Sequence, residues 1–206
     1  MNTVSQVGIY NMALGAIGVT RFVQSPFDTN EQTRVCNVFW ESSRDQCLGD
    51  FEWSFANRFA SLQLLVNCTP GWKFTYGYPS DCLSAREIVQ HHLPQGHHHN
   101  DRERVVPFQT VENEAQGGLA IATNKENARL RYTARITTYT LWSPAFVNAL
   151  SLCLATKILC LSGDPVKYGP IVGKAYEAAI LKAGALSMNE QQNRPADVSE
   201  YVTARD

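Results

Sequence analysis

The chain holds 206 residues, 44% of them hydrophobic and 18% charged, with a formal net charge of −1. That length suits one domain, or one domain carrying a sizeable insertion, and is enough to bury a real core. A charge so near neutral, with acids and bases interspersed, gives no basic face that would make duplex nucleic acid the obvious partner.

Residues 3–17 read as a helix. Asn2 or Thr3 can cap it, Val7, Tyr10, Leu14 and Ile17 form a stripe at helical spacing, and Gly18 is placed to stop it in a left-handed conformation. Ser25-Pro26-Phe27-Asp28 is a turn. A second helix is expected from about Asn30 to Leu48, with Val35, Phe39, Cys47 and Leu48 inside, Arg34, Glu41 and Arg44 outside, and Gly49 ending it.

From Ala60 the period changes to two. Leu62, Leu64 and Val66 alternate with Ser61, Gln63 and Leu65, a strand pattern closed by Thr69-Pro70-Gly71. Trp72, Phe74, Tyr76 and Tyr78 alternate next, until Pro79. Residues 83–90 and 105–111 are further strand candidates, separated by a polar loop over residues 91–104. Residues 118–123 and 128–138 flank Asn124-Lys125-Glu126-Asn127, which reads as the turn of a β-hairpin. In the second arm Leu130, Tyr132, Ala134 and Ile136 face one way and Arg129, Arg131, Thr133 and Arg135 the other, the arginine side reading as a solvated face.

Ser143-Pro144 is a strong helix start, a capping serine followed by proline. Phe146, Ala149, Leu150, Cys153, Leu154 and Ile158 make the apolar face, Gly163 ends the helix, and a last helix is expected over residues 166–188. The apolar stretch at residues 145–161 is interrupted by Asn148, Ser151, Thr156 and Lys157, the pattern of a buried core helix and not of a membrane span. The expected fold class is therefore α+β. Residues 1–59 and 143–188 form an antiparallel helical bundle, residues 60–142 an inserted antiparallel β-rich domain, and residues 189–206 an extended polar tail.

Motifs for chemistry are sparse. No charged-then-apolar leader is read at the N-terminus, so the six cysteines are expected to stay reduced, and their spacings fit no zinc template. Cys36 with Cys47, and Cys153 with Cys160, each fall near one helical face, as buried small hydrophobes would. Cys82, beside Asp81, is the one in an unusual context. His91-His92 and His97-His98-His99 invite a metal reading, but adjacent histidines in a loop lack the fixed geometry and outer support a site needs. Gly169 to Gly173-Lys174 miscounts a phosphate loop and lacks its Ser or Thr. No nucleophile elbow or His-Glu-x-x-His is present. No catalytic residue, cofactor or metal ligand is assigned.

A set of anchors recurs in a definite order. Ala13-Leu14-Gly15-Ala16-Ile17-Gly18 lies in the first helix, and Trp53-Ser54-Phe55-Ala56 follows the second. Tyr78-Pro79-Ser80-Asp81-Cys82-Leu83 closes an aromatic strand, Leu130-Arg131-Tyr132 sits in the hairpin, and Pro144-Ala145-Phe146-Val147-Asn148-Ala149-Leu150 leads to Leu154-Ala155. This order resembles the tail tubular protein A family, the head-to-tail adaptors of short-tailed phages, over roughly residues 3–187. The resemblance implies a non-enzymatic virion protein of the phage neck, made in the host cytoplasm. Copies would form a ring, a dodecamer, between the portal and the tail nozzle, with DNA passing through the lumen without sequence-specific binding and no membrane involved. Arg194, Tyr201 and Arg205 of the tail become candidate portal contacts. Trp72, Tyr76, Tyr78, Arg129 and Arg131 become candidate subunit or tail contacts, since aromatics and arginine are favoured at such surfaces. A connector of a long-tailed phage or another assembly module is the alternative, ahead of a small cysteine- or metal-dependent enzyme.

Overall fold

The computed structural model describes residues 4–66, 69–89, 106–113 and 117–190, the last four of these by their backbone. Among them lie four α-helices and two three-stranded antiparallel sheets, a mixed α+β fold.

Helix α1 (Gln6–Ala16) starts at Ser5, whose hydroxyl accepts from the Gly8 N–H. The expected caps Asn2 and Thr3 lie outside the described residues. Gly18 does take a positive φ of 77°, and a Cβ there would come within 2.5 Å of the Tyr168 hydroxyl, so conformation and space both favour glycine. Helix α2 (Glu31–Asp50) is capped by the Asn30 side chain. Its inner face is Thr33, Cys36, Trp40, Ser43, Arg44, Cys47 and Leu48. Val35 and Phe39 are only half-buried, and Arg44, expected in solvent, is 6% exposed. Arg44 can sit there because Asp45 pairs with it at 2.9 Å.

Helix α3 (Pro144–Lys157) begins as read, with the Ser143 hydroxyl accepting from the Phe146 N–H. All six residues of the expected apolar face are fully buried, and Val147, Ser151 and Ala155 are buried too, because α1, α2 and α4 (Pro165–Glu190) all pack on this helix. An aromatic run joins them: Tyr10 of α1 meets Trp40 of α2, Trp40 meets Trp142, and Trp142 meets Phe146 of α3. Trp53 and Phe55 close on Phe146 from the other side, with ring centroids 5.0 and 5.2 Å away. Such rings bury about 150–250 Å² each and dominate the core. The helix ends before Gly163: Ile158 caps it and a 3-10 turn over Leu159–Leu161 follows. Cys160 falls in that turn and is exposed, so it does not share the buried face of Cys153.

The strands are β1 (Asn57–Ser61), β2 (Phe74–Gly77), β3 (Cys82–Val89), β4 (Phe108–Glu112), β5 (Leu119–Thr123) and β6 (Arg129–Ala134). The first sheet has the order β1-β6-β3, the second β2-β5-β4. The expected hairpin is corrected: β5 pairs with β2 and β4, and β6 pairs with β1 and β3, so residues 124–127 carry the chain from one sheet to the other. Asn124 accepts from the Lys73 N–H and Lys125 O accepts from the Tyr76 hydroxyl, which holds the turn on the β2 side. Asn127 supplies the positive φ of 53° that turns the chain. The strand expected over residues 60–66 is likewise shared. Leu62 N–H still bonds to Ala128 O beside the first sheet, while Gln63 and Leu65 bond to Gly77 and Thr75 of β2. Leu64 and Val66 consequently face solvent.

Candidate functional site

The sequence reading pointed to the aromatic strand and the arginine face, and both are occupied internally. Tyr76 is 2% exposed, and its hydroxyl is spent on Lys125 O. Its assignment to a contact surface is corrected, because the side chain is buried within this chain and its hydroxyl is tied to the turn. Trp72 is half-buried, and its indole N–H donates to Gln109 Oε1 at 3.2 Å. In register, Ala122 of β5 lies between Thr75 of β2 and Gln109, so this bond spans the second sheet from edge to edge. Tyr78 is half-buried, and burial together with the neighbouring Cys82 pushes its phenol upward.

The arginines form a charged seam between the first sheet and α2. Arg131 pairs with Glu87 at 2.8 Å and with Glu52 at 3.6 Å, and Arg86 reaches Glu52 at 3.4 Å. Asp45 joins Arg44 to Arg135, both at 2.9 Å. At the far end Asp81 accepts from Arg58 at 2.6 Å and from the Tyr132 hydroxyl at 3.0 Å. Arg129 is the exception: it is exposed and lies over the Phe59 ring, 5.6 Å from its centre. The expected alternation along β6 holds, except that Thr133 is buried where Arg86 bonds its hydroxyl.

Cys36 and Cys47 lie on α2 and Cys153 on α3, while Cys82 opens β3. Cys36, Cys47 and Cys153 are buried and Cys82 is half-buried. Burial raises them all, Cys36 to about 12, which keeps them protonated and poor nucleophiles. Tyr176 of α4 donates to Asp50 at 2.7 Å beside Cys47 and Cys153, and burial pushes its phenol far up. Gly169, Gly173 and Lys174 all fall within α4. The histidine segment, Cys68, Arg194, Tyr201 and Arg205 lie outside the described residues.

Two surface features escaped sequence reasoning. An open cleft of about 480 Å³ beside α1 is lined by Val7, Gly8, Asn11, Met12, Phe22, Val23 and Gln24, without an ionisable group. The outer faces of α2 and α4 also carry large apolar side chains in solvent: Val38 is 73% exposed and Leu181 76%. Their helical spacing was visible, but which stripe faced the core was not. A scan against protein-family models found no match to this chain, and a search of curated proteins found none either.

Proposed function

We propose that this chain is the subunit of a head-to-tail adaptor ring in the neck of a short-tailed phage, a structural part and not an enzyme. In this reading the helical segments 1–59 and 143–188 make the ring body. The inserted residues 60–142 reach neighbouring subunits and the tail nozzle, and residues 189–206 reach the portal. The genome passes through the lumen.

The observation that supports it is the convergence of the anchors on which the resemblance rests. Trp53 and Phe55 pack on Phe146, although the whole β-rich block separates them in the chain. Asp81, from the segment after the aromatic strand, accepts from Tyr132 in β6. Leu14 of the first anchor is fully buried in α1, which packs on α3. Residues scattered in sequence thus serve one core, as parts of a single inherited plan would.

Negative-stain microscopy of the chain mixed with the portal of its own phage tests the proposal. A second ring coaxial with the portal is expected. Deleting residues 189–206 should leave the melting temperature unchanged and weaken portal binding. A chain that leaves the portal undecorated would remove the proposal.

A further inference from the structure

Helix α4 carries a second, outward stripe. Ile171, Lys174, Ala178, Leu181 and Ala185 are all exposed and follow the 3-4-3-4 spacing of a coiled-coil seam, which drifts only ~20° per heptad on a straight helix. Small alanines on either side of Leu181 let another helix approach closely. The α2 surface has a matching feature: a shallow hollow of about 310 Å³ lined by Glu31, Arg34, Val35 and Val38. Those four residues stand at i, i+3, i+4 and i+7, the set that forms the hole for an incoming knob.

Charge complements the shape. The outer side of α4 carries Lys167, Lys174 and Lys182 against Glu177, while that of α2 carries Glu31 and Glu41 against Arg34. Two copies pairing α4 with α4 would oppose lysine to lysine. Pairing α4 with α2 opposes lysine to glutamate, and it is a head-to-tail contact, the kind that closes into a ring.

We infer that the α4 stripe of one copy seats on the α2 hollow of the next, with Leu181 as the knob and the α4 lysines facing Glu31 and Glu41. This rests on the ring reading and supplies its subunit interface. Both faces point away from α3, on which α2 and α4 pack, so every copy keeps both free for its two neighbours.

Sedimentation velocity across a protein concentration series, at low salt, tests it on the full chain. Leu181→Asp should weaken self-association at least tenfold with an unchanged melting temperature, since the side chain is exposed. Lys174→Glu with Lys182→Glu should do the same, as should Glu31→Lys with Glu41→Lys. The chain carrying all four reversals should recover most of the wild-type association. Single-face reversals without effect, or a four-fold reversal that stays as weak as either pair, would overturn this interface while leaving a wild-type ring standing. A wild-type chain that stays monomeric throughout would overturn this interface, and one that also leaves the portal undecorated would overturn the ring as well.

Discussion

The first sheet is fastened to the helices by charge; the second is fastened to its own loops by neutral hydrogen bonds. Arg86, Arg131 and Arg135 meet Asp45 and Glu52, so α2 and its C-terminal extension grip β3, β6 and the residue after β6 through carboxylates, one of which also neutralises Arg44 within α2. In the second sheet, Trp72 bonds Gln109, Tyr76 bonds Lys125 O, Thr123 bonds Pro107 O and Thr75 bonds Thr69. The lesson concerns what each part can do. A sheet held by partly exposed ion pairs responds to salt, while one held by neutral bonds does not. The helical body beneath owes its cohesion to neither, since its centre is a run of rings on α3.

The comparison breaks most easily at that centre. Phe146→Ala removes the ring shared by Trp53, Phe55 and Trp142 and should cost about 3–5 kcal/mol, read by urea unfolding. Unfolding at wild-type urea concentration would show that α3 is not the hub. Asp45→Ala leaves the nearly buried Arg44 and also Arg135 without a partner and should cost about 1–3 kcal/mol. High salt should shrink that difference, and a loss independent of salt would mean that packing, not charge, fastens the first sheet. Trp72→Phe removes the indole N–H together with the pyrrole ring that carries it; the lost hydrogen bond alone should cost about 0.5–1.5 kcal/mol, with faster amide exchange confined to β2, β4 and β5. Exchange that quickens in β6 instead would mean the two sheets behave as one unit.

A further effect is set by pH. Cys36 is raised in the folded chain from 9.0 to about 12, and Tyr10 and Tyr132 from 10.0 to about 12, each chiefly by burial. The unfolded chain therefore loses these protons first. Stability from them is complete below about pH 9 and is lost as pH climbs toward 12. The melting temperature should hold level up to pH 9 and decline beyond it, and Cys36→Ala should make that decline shallower, Cys47, Cys82 and Cys153 carrying the rest. A decline of unchanged steepness would show that Cys36 takes no part in it.

The helices were legible because their signals are local. Ser143-Pro144 and Asn30 mark starts within one turn, Gly18 marks a stop, and the spacing of Phe146, Leu150 and Leu154 marks the inner face. Arg44 was misplaced because its burial depends on Asp45 and Arg135, and Arg135 lies 91 positions away. Strand positions were also largely readable from alternation, but strand partners were not. Asn124 to Asn127 announces a reversal and says nothing of which sheet each arm joins. That choice was made by Lys73 and Tyr76, half a hundred residues earlier. Tyr76 looked like a surface aromatic for the same reason: the Lys125 carbonyl that takes its hydroxyl lies 49 positions on. The α2 hollow and the α4 stripe needed knowledge of which helical side α3 had already taken.

Mass photometry of the purified chain, alone and with its portal, tests the adaptor account most directly. The expected record is a single large species of closed-ring mass, which adds to the portal as one unit, and which Leu181→Asp disperses to single chains. A wild-type chain that remains at its monomer mass in both settings would contradict it.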